Sequence, residues 1–340
     1  METRRVGRSG LYLSQLGLGT MTFGAAEWGC DEDTAIRLVH RYLDAGGNFV
    51  DTADAYGSSE EIVGRAVRDR RPQVVLATKF GLPMGPGPHD RGASRIHIKA
   101  ACDASLRRLG TDYIDLYQLH VEDEATPLEE TMTALDDLVR AGKVLYIGAS
   151  NLRAYRLMKA LAISDALGTA RFVSYQGQYN LIVRTLEREH VPLLGDEGLG
   201  FVSWSPLAAG MLTGKVKPGV RSDETRLAQR DVAVDSLVKN EHGFAVAAAV
   251  QKGAAEIGCT PAQLALAWQR SRPVTSVLIG ARSMEQLDDN LASLDVTIPP
   301  ETADELERAT RLPDEYPGTF IEIFQAFLRG GLTTMVRRDD

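Results

Sequence analysis

Asn48-Phe-Val-Asp-Thr52, Val74-Val-Leu-Ala-Thr-Lys79 and Ile114-Asp-Leu-Tyr-Gln-Leu-His120 are three short apolar runs, each closing on polar residues. Their length and their flanking turn residues read as buried strands, and helix-like segments separate them. Strands joined by helical crossovers lie parallel. Side chains at the ends of several parallel strands converge on one mouth, where barrel enzymes keep their catalytic groups. Asp51, Lys79 and His120 stand at such ends, and Tyr56 follows just beyond the first of them. A phenol, with an ordinary pKa of ~10, becomes a usable acid at neutral pH beside cationic or hydrogen-bonding neighbours. Lysine and histidine are such neighbours, so the four residues read as a proton-transfer site.

The same strand-then-helix unit recurs along the chain. Residues 3 to 13 form a hairpin turning at Gly7 to Gly10, placed to cap the floor of a larger fold. Leu16-Gly-Leu-Gly19 then leads to a helix near Asp33, the Asn48 run to a helix over residues 59 to 69, and the Val74 run to one over 94 to 109. The Ile114 run precedes a helix over 127 to 141, Val144 to Ser150 one over 152 to 167, and Phe172 to Gln176 one over 185 to 197. Gly200-Phe-Val-Ser-Trp204 opens into a polar loop over 208 to 236, then helices over 241 to 257 and 261 to 270. Ser276-Val-Leu-Ile279 and a helix over 283 to 293 close the series. Helix starts carry ordinary signals: Asp31 or Asp33, Ser94, and Thr126-Pro127 as N-cap and first-turn proline. Leu16-Gly-Leu-Gly-Thr20 lacks the Gly-x-Gly-x-x-Gly fingerprint of an open dinucleotide-binding sheet. Eight evenly spaced units predict an α/β fold, a (β/α)8 TIM barrel with an N-terminal β-hairpin cap and a C-terminal tail near the active-site mouth. The absence of any linker or repeat predicts a single domain over residues 1 to 340.

Composition narrows the class. Of the 340 residues 44% are hydrophobic and 25% charged, as in ordinary globular proteins. A net charge of -8 disfavours broad nucleic-acid binding. The three cysteines, Cys30, Cys102 and Cys259, are widely spaced and read as reduced thiols, and no metal-ligand spacing is present. Neither a signal peptide nor an apolar run of ~20 residues occurs, so a soluble, cytoplasmic protein without membrane partners is expected. The sequence carries no feature that specifies an oligomeric state.

A reductant is still needed, because no side chain supplies hydride, and a nicotinamide cofactor is the natural source. The chain resembles the aldo-keto reductases, nicotinamide-dependent barrel oxidoreductases, from Leu16 to about Asn290. The resemblance is carried by Gly19-Thr-Met-Thr-Phe-Gly24, Phe49-Val-Asp-Thr-Ala-Asp-Ala-Tyr-Gly57, Leu76-Ala-Thr-Lys79, the stretch from Leu106 to His120, Gly148-Ala-Ser-Asn151, Trp204 to Lys215, and Ile279 to Asn290, all in order. It implies Tyr56 as general acid, Lys79 and Asp51 as its tuning pair, and His120 orienting a substrate carbonyl. It also implies that Gly19, Thr20, Met21 and Asp51 border the nicotinamide cleft, that Ser150, Asn151 and Gln176 bind the carboxamide, and that Trp204 stacks on the ring. Ser205, Leu207, Gly210 and Lys215 fall in the implied pyrophosphate loop, and Gly280, Ala281, Arg282, Gln286, Asp289 and Asn290 around the adenosine. Arg282 favours the 2'-phosphate of NADPH through charge-assisted hydrogen bonds. Gln286 and Gly280 replace an arginine and a lysine found in some relatives.

Each residue also has a plainer reading. A strand-end lysine is commonly a solvated rim residue, an Asp-Thr pair a helix-capping turn, and a lone histidine a packed one. Their joint order favours the site. Phe23 and Trp28 read either as walls of an aromatic substrate pocket or as packing within the first loop. Arg226 and Gln229 read as solvated loop residues, and the spaced aromatics of Pro313 to Phe327 as a cover for the pocket or a packing surface. NADPH-dependent reduction of an aldehyde or ketone, a small-molecule substrate, is therefore expected. A keto-sugar or secondary-metabolite ketone reductase is the alternative. From another class comes a nicotinamide-binding regulatory subunit similar to the β-subunits of potassium channels.

Overall fold

The computed structural model describes residues 1–25, 28–216 and 237–328; Arg226 and Gln229 lie outside the described residues. The hairpin pairs Thr3–Arg5 (β1) with Tyr12–Ser14 (β2), antiparallel, with Thr3 opposite Ser14. Gly7 turns it at φ 53°, and a Cβ there would stand 2.1 Å from the Gly198 carbonyl oxygen, so glycine is required twice over. Val6, Leu11 and Leu13 pack on Phe49, Ala77, Leu116, Val202 and Leu278. The Arg8 N–H donates to the Gly198 carbonyl at 2.9 Å, in the loop ahead of a barrel strand. The hairpin thus plugs the end where the strands begin.

Eight parallel strands close the barrel: β3 (Leu16–Gly19), β4 (Phe49–Asp51), β5 (Val75–Phe80), β6 (Ile114–Leu119), β7 (Val144–Ser150), β8 (Phe172–Gln178), β9 (Gly200–Trp204) and β10 (Ser276–Ile279). Closure comes from β10, which pairs with β3 on one side and β9 on the other. Strand side chains alternate between faces, so residues two apart share the barrel interior. Phe49, Ala77, Leu116 and Val202 fill its floor. Two residues further along the same strands, and on the same face, come Asp51, Lys79, Gln118 and Trp204. Gly17 makes room for this filling, since a Cβ there would lie 2.5 Å from the Phe49 ring.

The helices are α1 (Glu32–Asp44), α2 (Ser59–Val67), α3 (Arg95–Leu109), α4 (Leu128–Arg140), α5 (Ala154–Leu167), α6 (His190–Glu197), α7 (Glu241–Ile257), α8 (Pro261–Arg270) and α9 (Met284–Ala292), of which α1, α3, α7, α8 and α9 begin at a side-chain cap. Asp31, not Asp33, caps α1, accepting from the Thr34 N–H at 2.7 Å. Thr126 does not cap α4. Its hydroxyl donates instead to Asp123 Oδ2 at 2.7 Å, and Pro127 occupies the cap position. The helix expected over 185 to 197 is broken into a single 3-10 turn, Thr185–Glu187, followed by α6. Pro192 explains the break: it lacks an N–H and is tolerated only in a first turn, which a start at His190 provides. The polar loop after β9 begins as a tight 3-10 segment, Ala208–Thr213.

Two further helices lie beyond the eighth unit, α10 (Pro300–Thr310) and α11 (Gly318–Leu328). Thr302, Leu306 and Thr310, four apart, are the buried face of α10. Between the two, Arg188 donates to the Pro313 carbonyl at 3.1 Å and pairs with Glu315. Arg188 follows the carboxyl end of β8, so the tail starts beside the mouth. Among the described residues no helix is long and apolar enough to cross a membrane.

Candidate active site

The four strand-end residues meet. Lys79 and Asp51 form an ion pair whose side chains are 1% and 3% exposed. Lys79 Nζ also donates to the Thr52 carbonyl at 2.9 Å and lies 5.2 Å from the centre of the Tyr56 ring. The Tyr56 and His120 rings stand edge to face, their centres 5.7 Å apart. Burial by itself would push the Lys79 ammonium down, but Asp51 and the Tyr56 oxygen more than offset it and hold its pKa above the ordinary lysine value. His120 is pushed the other way. Burial, aided by the Lys79 charge, lowers its pKa to about 3, so the imidazole is neutral at pH 7. Its Nδ1 is buried and has no hydrogen-bond partner among the described residues.

The opposite oxygen of Asp51 is held from across the barrel. Gln118 Nε2 and Gln176 Nε2 each donate to Asp51 Oδ2 at 2.9 Å, and Gln176 also reaches Gln118 Oε1 at 3.3 Å. The sequence reading passed over Gln118. The signal was present, since Gln118 sits two residues before His120 on one strand and alternation puts both on one face. The amide nitrogen of Gln176, expected to meet a carboxamide, is engaged with Asp51.

Asn151 ties the His120 side of the mouth to the Trp204 side. Its Nδ2 donates to the His120 carbonyl and to Ser150 Oγ, both at 2.9 Å, and its Oδ1 accepts from Trp204 Nε1 at 3.2 Å. Trp204 is half-buried, packed against the floor cluster on one side. Thr20 is fully buried and structural in its contacts: its N–H and hydroxyl both reach the Asp51 carbonyl at 3.0 Å. Gly19 and Met21 flank it, half-buried.

Among the described residues four non-glycine residues hold left-handed backbone conformations, all at or shortly after the carboxyl ends of β7 and β9: Asn151 (φ 54°), Ser205 (φ 56°), Ala208 (φ 49°) and Ala209 (φ 53°). Such strain concentrates where backbone geometry serves a ligand. Ser205, Leu207 and Gly210 belong to the tight turns after β9, with Lys215 exposed at their end. Loops after the seventh and eighth barrel strands are a recurring phosphate site.

Beyond β10, Arg282 N–H donates to Gln286 Oε1 at 2.9 Å, and Asn290 Nδ2 to the Gly280 carbonyl at 3.1 Å. Asp289 faces α8, accepting from Gln263 Nε2 at 2.7 Å. Ser283 caps α9. This segment is laced to the first loop: Thr22 Oγ1 donates to the Ala281 carbonyl at 3.2 Å and Arg282 Nη1 to the Trp28 carbonyl at 3.4 Å. Phe23 is 1% exposed and packs in the main core with Cys30, whereas Trp28 is half-buried. Cys30 and Cys102 are free and buried, their thiols pushed up to about 11 and about 12 by that burial.

A nicotinamide fits this chemistry: a charged Lys79 beside a phenol, a neutral imidazole with a buried unpaired nitrogen, and strained turns and cations along one rim. The model of the Aldo/keto reductase family matches residues 15–311. An uncharacterized oxidoreductase of Bacillus subtilis (strain 168) is 39% identical over 342 residues, covering 96% of this chain and 99% of that protein. A probable voltage-gated potassium channel subunit beta of Oryza sativa subsp. japonica is 38% identical over 325 residues, covering 90% and 96%. Versiconal hemiacetal acetate reductase of Aspergillus parasiticus is 37% identical over 335 residues, covering 90% and 96%. A family match across nearly the whole barrel, with relatives that include oxidoreductases, fits the geometry of the mouth, and the chain belongs to the aldo/keto reductase family.

Proposed function

We propose that the chain reduces an aldehyde or ketone to an alcohol with NADPH, using Tyr56 as general acid. The observation that carries this reading is the convergence of Tyr56, Lys79, Asp51 and His120 on one buried point at the barrel mouth. A bound nicotinamide supplies the hydride. The neutral His120 donates a hydrogen bond to the substrate oxygen, placing it against the Tyr56 hydroxyl. Tyr56 passes its proton to the alkoxide as it develops, and Lys79 stabilises the phenolate left behind. Asp51 keeps Lys79 charged and in place. Gly19, Met21, Ser150, Asn151 and Trp204 would hold the nicotinamide end, with Thr20 and Gln176 acting behind them through Asp51, and Ser205, Leu207, Gly210 and Lys215 would hold the pyrophosphate. Gly280, Ala281, Arg282, Gln286, Asp289 and Asn290 surround the adenosine, with Arg282 meeting the 2'-phosphate. The substrate is a small carbonyl compound met in the cytoplasm, bounded on one side by Trp28, while Phe23, packed in the core, supports that loop from behind.

Mixing the chain with NADPH and a panel of activated aldehydes and ketones tests the reading. Loss of the near-ultraviolet absorbance of NADPH across the panel supports it, and no loss with any member sinks it. The fungal relative's name favours extending the panel to hemiacetal acetates, and the alternative substrate classes add keto-sugars and secondary-metabolite ketones to it. The rice relative favours one further reading, a nicotinamide-binding regulatory subunit, which predicts NADPH binding without turnover.

A further inference from the structure

Asp54 has no task in the chemistry above. It lies two residues before Tyr56 in the turn between β4 and α2, is 2% exposed, and neither carboxyl oxygen has a hydrogen-bond partner of good geometry among the described residues, the adjacent Ala55 N–H opposing its burial only in part. Its backbone is firmly placed. The Asp54 N–H donates to the Lys79 carbonyl and the Tyr56 N–H to the Ala53 carbonyl, both at 3.1 Å, so Asp54 is built into the turn that aims the phenol.

Charged and titratable groups face it from every side. Glu60 on α2 is 1% exposed, with Oε1 accepting from Thr78 Oγ1 and Oε2 from Arg108 Nε, both at 2.6 Å. Arg108 and the buried Cys102 thiol lie on α3. Lys79 on β5 is paired with Asp51. Tyr117 on β6 is fully buried, and that burial holds its hydroxyl neutral. Arg108 is thus committed to Glu60 by an ion pair, and the Asp54 carboxyl is left without a hydrogen-bond partner of good geometry among the described residues. A buried carboxyl with no partner is held neutral by desolvation, and a second buried acid nearby adds to that. Burial first, and Glu60 second, push the Asp54 carboxyl up to about 7.

We propose that Asp54 is a positioning residue carried as the neutral acid, and that losing its proton sets an anion near Lys79 which opposes the lysine's stabilisation of the Tyr56 phenolate and lowers turnover. The activity part of this inference rests on the carbonyl-reductase reading; the protonation part does not.

The test uses the full chain at saturating NADPH and carbonyl substrate, with kcat followed across pH. Wild type is expected to lose about tenfold in kcat through neutral pH, the equivalent of one pKa unit of lost phenolate stabilisation. Asp54→Asn, with an uncharged group of nearly the same shape, is expected to remove that loss. Glu60→Gln deletes the like charge and leaves Arg108 to Asp54, so its loss should move to lower pH. In infrared difference spectra, wild type should show a protonated-carboxyl band below neutral pH that Asp54→Asn lacks. A loss that persists unchanged in Asp54→Asn overturns the proposal, as does absence of the band. If Asp54→Asn does not fold, an acid shift in Glu60→Gln supports the proposal and an unmoved midpoint overturns it. If no carbonyl compound is reduced, the carbonyl-reductase reading fails, and the infrared band alone decides whether Asp54 carries its proton.

Discussion

Gln176 Nε2 lies 2.9 Å from Asp51 Oδ2, joining residues 125 positions apart in the chain. With Gln118 it fixes the oxygen of Asp51 that Lys79 does not use. Replacing Gln176 by Leu leaves a buried carboxylate short of one donor. Hydrogen bonds to charged groups contribute ~1.5–3 kcal/mol, so a loss of that order in urea unfolding is expected, together with lower kcat. Because both glutamines serve one oxygen, Gln118→Leu and Gln176→Leu should be non-additive in a double-mutant cycle. Simple additivity would show that the two donors act independently.

Tyr56→Phe removes only the phenolic hydroxyl. If that hydroxyl is the acid, kcat should drop by about 10²–10⁴-fold, the usual worth of a general acid. NADPH affinity, measured by fluorescence titration, should stay close to wild type, since no cofactor role falls on the hydroxyl. Turnover surviving in Tyr56→Phe would move the proton source elsewhere.

His120 makes stability depend on pH in a defined direction. In the fold it stays neutral down to about 3, whereas the unfolded residue takes up a proton near 6.5. Between those values the unfolded chain binds more protons, so stability is expected to fall as pH drops, by at most ~1.4 kcal/mol per pH unit. Asp54 acts oppositely: its folded value is raised from 3.8 to about 7, so its contribution is present at low pH and fades as pH rises through that range. Denaturant unfolding of wild type and His120→Gln at several pH values separates the two. The acid-side slope should diminish in the variant, and equal slopes would remove His120 as its source.

Arg282→Ala should weaken NADPH far more than NADH. A charge-assisted contact to phosphate contributes ~1.5–3 kcal/mol, which corresponds to about 10- to 100-fold in Kd. Arg282 also holds the Trp28 carbonyl, so a smaller effect common to both coenzymes is expected. Isothermal titration with each coenzyme gives the ratio, and equal losses would leave the arginine with the loop contact alone.

The barrel was legible because its cause is local. Alternation and apolar run length mark each strand, and all eight occur where the sequence reading puts them. Helix starts followed caps such as Ser94 and Ser283, while Pro192 and Thr126 departed through one missing N–H and one competing aspartate. Tyr56, Lys79, Asp51 and His120 were legible for the same reason, as polar residues at or just beyond the ends of apolar runs. Gln118 and Asp54 were not. Alternation with His120 places Gln118 on the inner face but does not show which residue it reaches across the barrel, and nothing beside Asp54 in the chain marks an aspartate whose neighbours arrive from α2 and α3.

The sequence by itself determined the repeated unit, the closure of eight such units and the residue types presented at their ends, since periodicity and capping act over a few residues. Only the tertiary structure decided which of those ends face one another. Register and closure bring Gln118 and Gln176 onto Asp51, and Glu60 and Arg108 around Asp54. Those approaches, through desolvation and charge pairing, set the protonation states on which the chemistry proposed for Tyr56 rests.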